Sequence, residues 1–69
     1  MQVHYDDKTD LLYIRLDDAP QEVLNRDVAA GVTLDIGAGD RIVGIEILDA
    51  SHRLDLRQVL PVSLDAAVV

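Results

Sequence analysis

A glutamate stands inside an otherwise apolar run, IVGIEIL, within the stretch RIVGIEILDAS of residues 41–51. The run alternates as a β-strand does, so Ile45 and Ile47 point to one side, the first face, and Gly44 and Glu46 to the other, the second face. A carboxylate in such a strand can act as a general acid with a raised pKa. It can equally be a structural charge that a cation on the same face holds.

The sequence offers a cation for that carboxylate. The stretch LLYIRLD alternates in the same way and carries Arg15 on its second face. A shift of 31 residues superimposes this stretch on the later one and brings Arg15 onto Glu46. A guanidinium can grip a carboxylate with two hydrogen bonds, and no catalytic motif surrounds Glu46. We therefore predict that Arg15 and Glu46 form a structural charge pair.

An alternative site uses other polar residues of the second face. His4, Asp35 and Glu46 would bind a ligand or act in catalysis if an oligomer interface brought them into one cleft. We expect no metal or cofactor. Two distant histidines and no cysteine make a weak metal signal, and DDKTD, residues 6–10, lacks the spacing of an EF-hand loop. Its aspartates are predicted to bond turn amides instead.

The sequence does not indicate a catalytic serine either. Ser51 lies outside any Gly-x-Ser-x-Gly elbow, and no motif supplies it with a base. We assign no catalytic residue and interpret Asp49 or Ser51 as the cap of a helix. Pro61 would end that helix near residue 60.

The elements that must position these residues are mostly strands. Alternation predicts a hairpin of residues 3–6 with 11–17 and a second hairpin around the turn GAGD. Residues 22–28 fit an edge strand or a loop. One buried face is expected to collect the following residues: Val3, Tyr5, Leu12, Ile14, Leu16, Val32, Leu34, Ile36, Val43, Ile45 and Ile47.

Near the C-terminus the period changes. Leu56, Val59 and Leu60 recur at helical spacing. The fold class predicted for the single domain 1–69 is therefore α+β, an antiparallel β-meander of four or five strands with one short C-terminal helix. Residues 61–69 fit an extra strand, a swapped arm or a frayed tail.

The length, composition and net charge of the chain also limit its possible functions. With 69 residues and no cysteine, it has a small core and no disulfide, so a partner chain is the expected support. We predict a homo-oligomer, a dimer by default, that associates through second-face residues Leu11, Tyr13, Ile42 and Leu48. The net charge of −7 argues against autonomous nucleic-acid binding. The absence of a long apolar run argues against membrane insertion and favours a cytoplasmic location.

Three segments resemble a known family: VHYDDKTDLLYIRL, GVTLDI and RIVGIEILDASHRL. They are similar to the domain of unknown function 2283 family of small prokaryotic proteins, over residues 3–54. The chain departs from that pattern at the second turn, where AGD replaces the usual Asp-Gly order. The resemblance implies a compact β-sheet with a helix and no established activity. Some relatives resemble members of two-gene modules with a toxin-like protein, which is compatible with an antitoxin role.

Together these features predict a small acidic interaction module without enzymatic activity. It would self-associate and could serve as an antitoxin-like partner of a basic protein. The alternative is a ligand-binding protein or small enzyme with a carboxylate and histidine site at an oligomer interface.

Overall fold

A computed structural model describes residues 1–58 of the chain. The strands are β1 (Gln2–Asp6), β2 (Leu11–Arg15), β3 (Leu24–Ala29), β4 (Val32–Ile36) and β5 (Ile42–Ile47). A helix α1 (Ala50–Arg53) follows β5, and a 3-10 turn (Ala38–Asp40) joins β4 to β5. The strands form one antiparallel sheet, so both predicted hairpins are confirmed, and the segment around residues 22–28 supplies an edge strand.

The strand order corrects the predicted meander. The order is β1-β2-β5-β4-β3, so β2 and β3 are not neighbours and the chain crosses the sheet through residues 16–23. Two features favour this order. The most apolar strand, β5, takes the centre. The charged strand β3, which is exposed along its whole length, takes an edge, where charge discourages pairing with stray chains.

The register puts the predicted apolar residues on one face. Directly opposite residues of antiparallel strands share a face. One row runs from Tyr5 through Leu12 and Ile47 to Val32. Full burial is rare, however. Among the described residues, the apolar ones that are fully buried are Leu12, Val43 and Ala50.

Within residues 1–58 the helical part is small, so the described fold is mainly β and α+β describes it only approximately. Helix α1 has four residues and ends where Leu54 turns extended, with φ −133° and ψ 151°. Residues 56–58 are helical again. The continuous helix predicted up to residue 60 is therefore interrupted. Val59, Leu60 and the predicted tail 61–69 lie outside the described residues.

The turn between β4 and β5 uses two left-handed residues. Gly39 has φ 69° and Asp40 has φ 60°, whereas Gly37 is extended with φ −95°. Glycine adopts this region without a steric cost, and aspartate tolerates it better than most residues. In the part of the chain that the structure describes, no helix has the length and apolarity needed to span a bilayer.

Candidate functional site

The second face of the sheet carries two polar rows that cross all five strands. Both follow from the register of directly opposite residues. The upper row consists of His4, Tyr13, Glu46, Thr33 and Asp27. The lower row consists of Gln2, Arg15, Gly44, Asp35 and Asn25.

Tyr13 is the centre of the second face. Its ring lies over Gly44, where an added Cβ would come within 2.4 Å of the phenol oxygen. The hydroxyl donates a 2.9 Å hydrogen bond to Oδ2 of Asp35, two strands away. Asn25 donates to Oδ1 of the same carboxylate. Burial and the Asp35 carboxylate raise the pKa of Tyr13, so the phenol stays neutral at physiological pH.

Glu46 and Arg15 are close neighbours on this face without being directly opposite. Glu46 stands opposite Tyr13 and Thr33, and Arg15 stands opposite Gly44. Among the ion pairs within 4 Å that the described residues form, none joins Arg15 to Glu46. The guanidinium carbon of Arg15 lies 5.9 Å from the ring centroid of Tyr13, within cation–π range. Arg15 thus lies beside Tyr13, whose ring occupies the space above Gly44.

The structure spreads the alternative ligand site across the sheet. His4 lies on the edge strand β1 and Asp35 on β4, with β2 and β5 between them. Three strand spacings separate them, roughly 14 Å. Glu46 lies between the two, and Asp35 already accepts bonds from Tyr13 and Asn25. Within residues 1–58, no group of three histidine or carboxylate side chains is placed to hold a metal ion.

A second polar cluster joins the first hairpin to α1, which we call the Asp10 cluster: Tyr5, Asp10, Ser51 and His52. Asp10 Oδ1 accepts bonds from the Tyr5 hydroxyl at 2.8 Å and from the Ser51 amide at 3.0 Å. Its Oδ2 accepts from the Ser51 hydroxyl at 2.7 Å. The backbone carbonyl of Asp10 accepts from the Ala50 amide at 3.0 Å.

Asp10 therefore caps α1 from 41 residues away. This corrects the predicted cap, because Asp49 occupies the N-cap position with φ 54° and makes no side-chain cap bond. The Ser51 and Tyr5 hydroxyls lower the pKa of Asp10 from 3.8 to about 2, since they stabilise its charged form. The sequence did signal turn aspartates, and Asp6 does bond the Lys8 amide as expected. It gave no sign of the distant partner.

The Asp10 cluster has the residue types of a nucleophilic triad without its geometry. Ser51 donates directly to the carboxylate, whose low pKa makes it a weak base. His52 Nδ1 lies 3.3 Å from the serine oxygen and 3.6 Å from Asp10 Oδ2, on a side chain that is 82% exposed. No third group orients this imidazole toward the serine among the described bonds. The arrangement suits a structural clamp between the turn and the helix.

The four residues of the predicted interface do not form one patch. Leu48 follows β5 and pairs with Gly31 through its amide, at the opposite end of the strand from Ile42. About 20 Å separates two such positions. A register irregularity sets Ile42 opposite Ile36, a first-face residue. Leu11 and Tyr13 are partly buried, whereas Ile42 and Leu48 are each 47% exposed.

Comparison with known proteins gives a family and no function. No curated protein and no solved structure matches the chain. A family model described as "Protein of unknown function (DUF2283)" matches residues 2–51, which include the whole sheet, the Asp10 turn and the start of α1. The chain therefore belongs to the DUF2283 family of proteins of unknown function.

Proposed function

We propose that this protein is a small acidic interaction module that acts without enzymatic activity and associates with copies of itself. Its fold supports this proposal, because a sheet needs a second layer to bury its apolar side. The described residues supply one sheet, a four-residue helix, three more helical residues at 56–58 and short turns. That is too little to cover five strands.

One observation carries the proposal: large apolar side chains of the sheet remain exposed. Leu24 is 62% exposed and Ile42 is 47% exposed, and both are cross-strand partners of Ile36. Monomeric soluble proteins rarely leave such groups clustered in contact with water, and clusters of them mark association surfaces. A chain of 69 residues without cysteine gains more from a partner than a larger domain would.

The charge of the chain favours a second, heteromeric use. The second face carries Asp27, Asp35 and Glu46 against the single arginine Arg15 in its two polar rows. A net charge of −7 attracts basic proteins and speeds their encounter with the module. An antitoxin-like role, in which the module neutralises a basic partner, fits this surface.

The proposal is tested by the mass of the purified chain in solution. Sedimentation equilibrium from about 1 µM to about 1 mM covers the affinities expected of small interfaces. We expect a concentration-dependent rise from the 7.6 kDa of one chain to a multiple of it. A strict monomer over the whole range would contradict self-association. Capture of a stoichiometric basic protein from the native host would support the heteromeric use separately.

A further inference from the structure

We infer that the first face of the sheet is the self-association surface and that a second copy of this chain covers it, sheet against sheet. This inference rests on the proposed self-association and names its surface. It differs from the sequence-based prediction, which assigned contact to the second face.

The centre of the first face lacks full cover. Its middle row runs from Val3 through Ile14, Ile45 and Leu34 to Arg26. None of these residues is fully buried, although Ile14 and Ile45 are apolar residues in the interior of strands β2 and β5. In the neighbouring row Leu12 is completely buried. Val43, on the other side of the middle row, is also buried, with 2% exposure. The chain thus covers the face at these two positions and leaves its middle partly open to solvent.

One corner of the first face is also exposed and apolar. Leu24, Ile36 and Ile42 are successive cross-strand partners on β3, β4 and β5, and we call them the apolar corner. Leu24 is 62% exposed and Ile42 is 47% exposed. Cross-strand neighbours lie about 5 Å apart, so these side chains form one continuous apolar surface.

The distribution of charge explains why a second copy can dock here. The acidic strand residues Asp27, Asp35 and Glu46 lie on the second face, which points away from such a contact. Arg26 lies on the first face at the edge strand, where its aliphatic stem can follow the interface while its guanidinium stays in water. Two acidic chains can therefore meet through their first faces without bringing these carboxylates together.

The size of the face fits a modest dimer. Strands of five and six residues, spaced by about 4.8 Å, make a face of roughly 20 by 20 Å. Two such faces cover at most about 800 Å² in projection, because each chain already covers part of its own face. This lies in the range of interfaces below about 1,200 Å², which dissociate readily. Stacked sheets pack about 10 Å apart with their strands roughly aligned.

Two matched variants of the full-length chain test the inference. Leu24→Glu adds a charge to the apolar corner, and Leu48→Glu adds the same charge to an equally large side chain, 47% exposed, just beyond the opposite end of β5. Both positions are exposed, so both variants should fold, which circular dichroism can verify. We expect Leu24→Glu to weaken the dimer by about tenfold or more and Leu48→Glu to change its dissociation constant only slightly. Leu24→Ser, which adds no charge, should give an intermediate loss.

The outcomes separate the inference from the proposed function. If the wild type is dimeric and Leu48→Glu dissociates it while Leu24→Glu does not, self-association holds and the first-face surface is overturned. If the wild type is monomeric at every concentration, both are overturned.

Discussion

At the scale of single residues, the second face is organised by one glycine and one tyrosine. Gly44 leaves a gap in the central strand, and the ring of Tyr13 occupies it. Glycine in a strand often marks such a close approach. The Tyr13 hydroxyl donates a hydrogen bond to Asp35, two strands away. The absence of a Cβ on Gly44 therefore allows a side chain of β2 to contact a side chain of β4.

Replacing Gly44 with alanine should expel that ring. The new Cβ would lie 2.4 Å from the phenol oxygen and 2.8 Å from the ring carbon that bears it. We expect a loss of about 1–3 kcal/mol in the free energy of unfolding, typical of overpacking. In a Tyr13→Ala background the same substitution should be nearly neutral. Urea titrations of the four proteins measure this coupling, and an equal cost in both backgrounds would argue against the close packing.

The two tyrosines should both titrate above their ordinary pKa of 10.0. For Tyr5 the main cause is its hydrogen bond to the Asp10 carboxylate, and for Tyr13 it is burial, followed by Asp35. The associated stability is present below pH 10 and is lost as the pH rises through the raised values. Tyrosinate absorbance follows the titration. Asp35→Asn should lower the pKa of Tyr13 and leave that of Tyr5 unchanged.

At the scale of elements, the Asp10 cluster joins the first hairpin to α1. A four-residue helix cannot persist through its own hydrogen bonds, since helix nucleation is costly. Asp10 supplies two acceptors to Ser51 and a carbonyl to Ala50, which fixes the start of the helix against the turn. Arg53 adds a contact at the other end of α1, to the Ala30 carbonyl. The helix is therefore held by its neighbours.

Acid should release this clamp. The pKa of Asp10 is lowered from 3.8 to about 2 in the folded chain. Its stabilising contribution is thus complete above about pH 4 and is lost as the pH falls toward 2. We expect the Ser51 amide to lose protection from hydrogen exchange over that interval.

Asp10→Asn should reduce the protection of the Ser51 amide from hydrogen exchange at neutral pH. It should also lower the denaturant concentration at the midpoint of unfolding. Asp7→Asn is the matched control, because Asp7 is exposed in the same turn. Nuclear magnetic resonance of the amide signals measures both effects. Equal behaviour of the two variants would mean that Asp10 does not hold the helix.

At the scale of the whole molecule, net charge and apolar surface act in opposite directions on association. Each chain carries −7, so two copies repel one another, while the first face attracts. Added salt screens the long-range charge repulsion between the copies and leaves the apolar attraction in place.

Salt should therefore distinguish the two proposed kinds of partner. Between about 0.02 M and 0.3 M sodium chloride, the Debye length falls well below the size of the molecule. We expect the homodimer to become a few-fold tighter over this range and binding of a basic partner to become weaker. Sedimentation equilibrium at the two salt concentrations measures the dissociation constant of the homodimer. A homodimer that salt dissociates would point to contacts between opposite charges instead of the first face.

Alternation along the sequence determined which residues share a face. A period of two depends only on the local backbone, so the shared face of Leu12 and Ile47 followed directly from it. Turn residues between the alternating stretches predicted both hairpins. The family followed from the sequence as well, from segments within residues 3–54, and the family model matches residues 2–51. The same local pattern cannot tell which strand borders which.

The strand order and the long-range contacts depend on tertiary packing. Insertion of β5 between β2 and β4 brings Tyr13 to Asp35, which the chain separates by 22 residues. It also sets Glu46 opposite Tyr13, so that Arg15 faces Gly44. The cap from Asp10 to Ser51 spans 41 residues. Such contacts depend on how whole elements pack, because each residue's local pattern is the same whichever neighbour it meets.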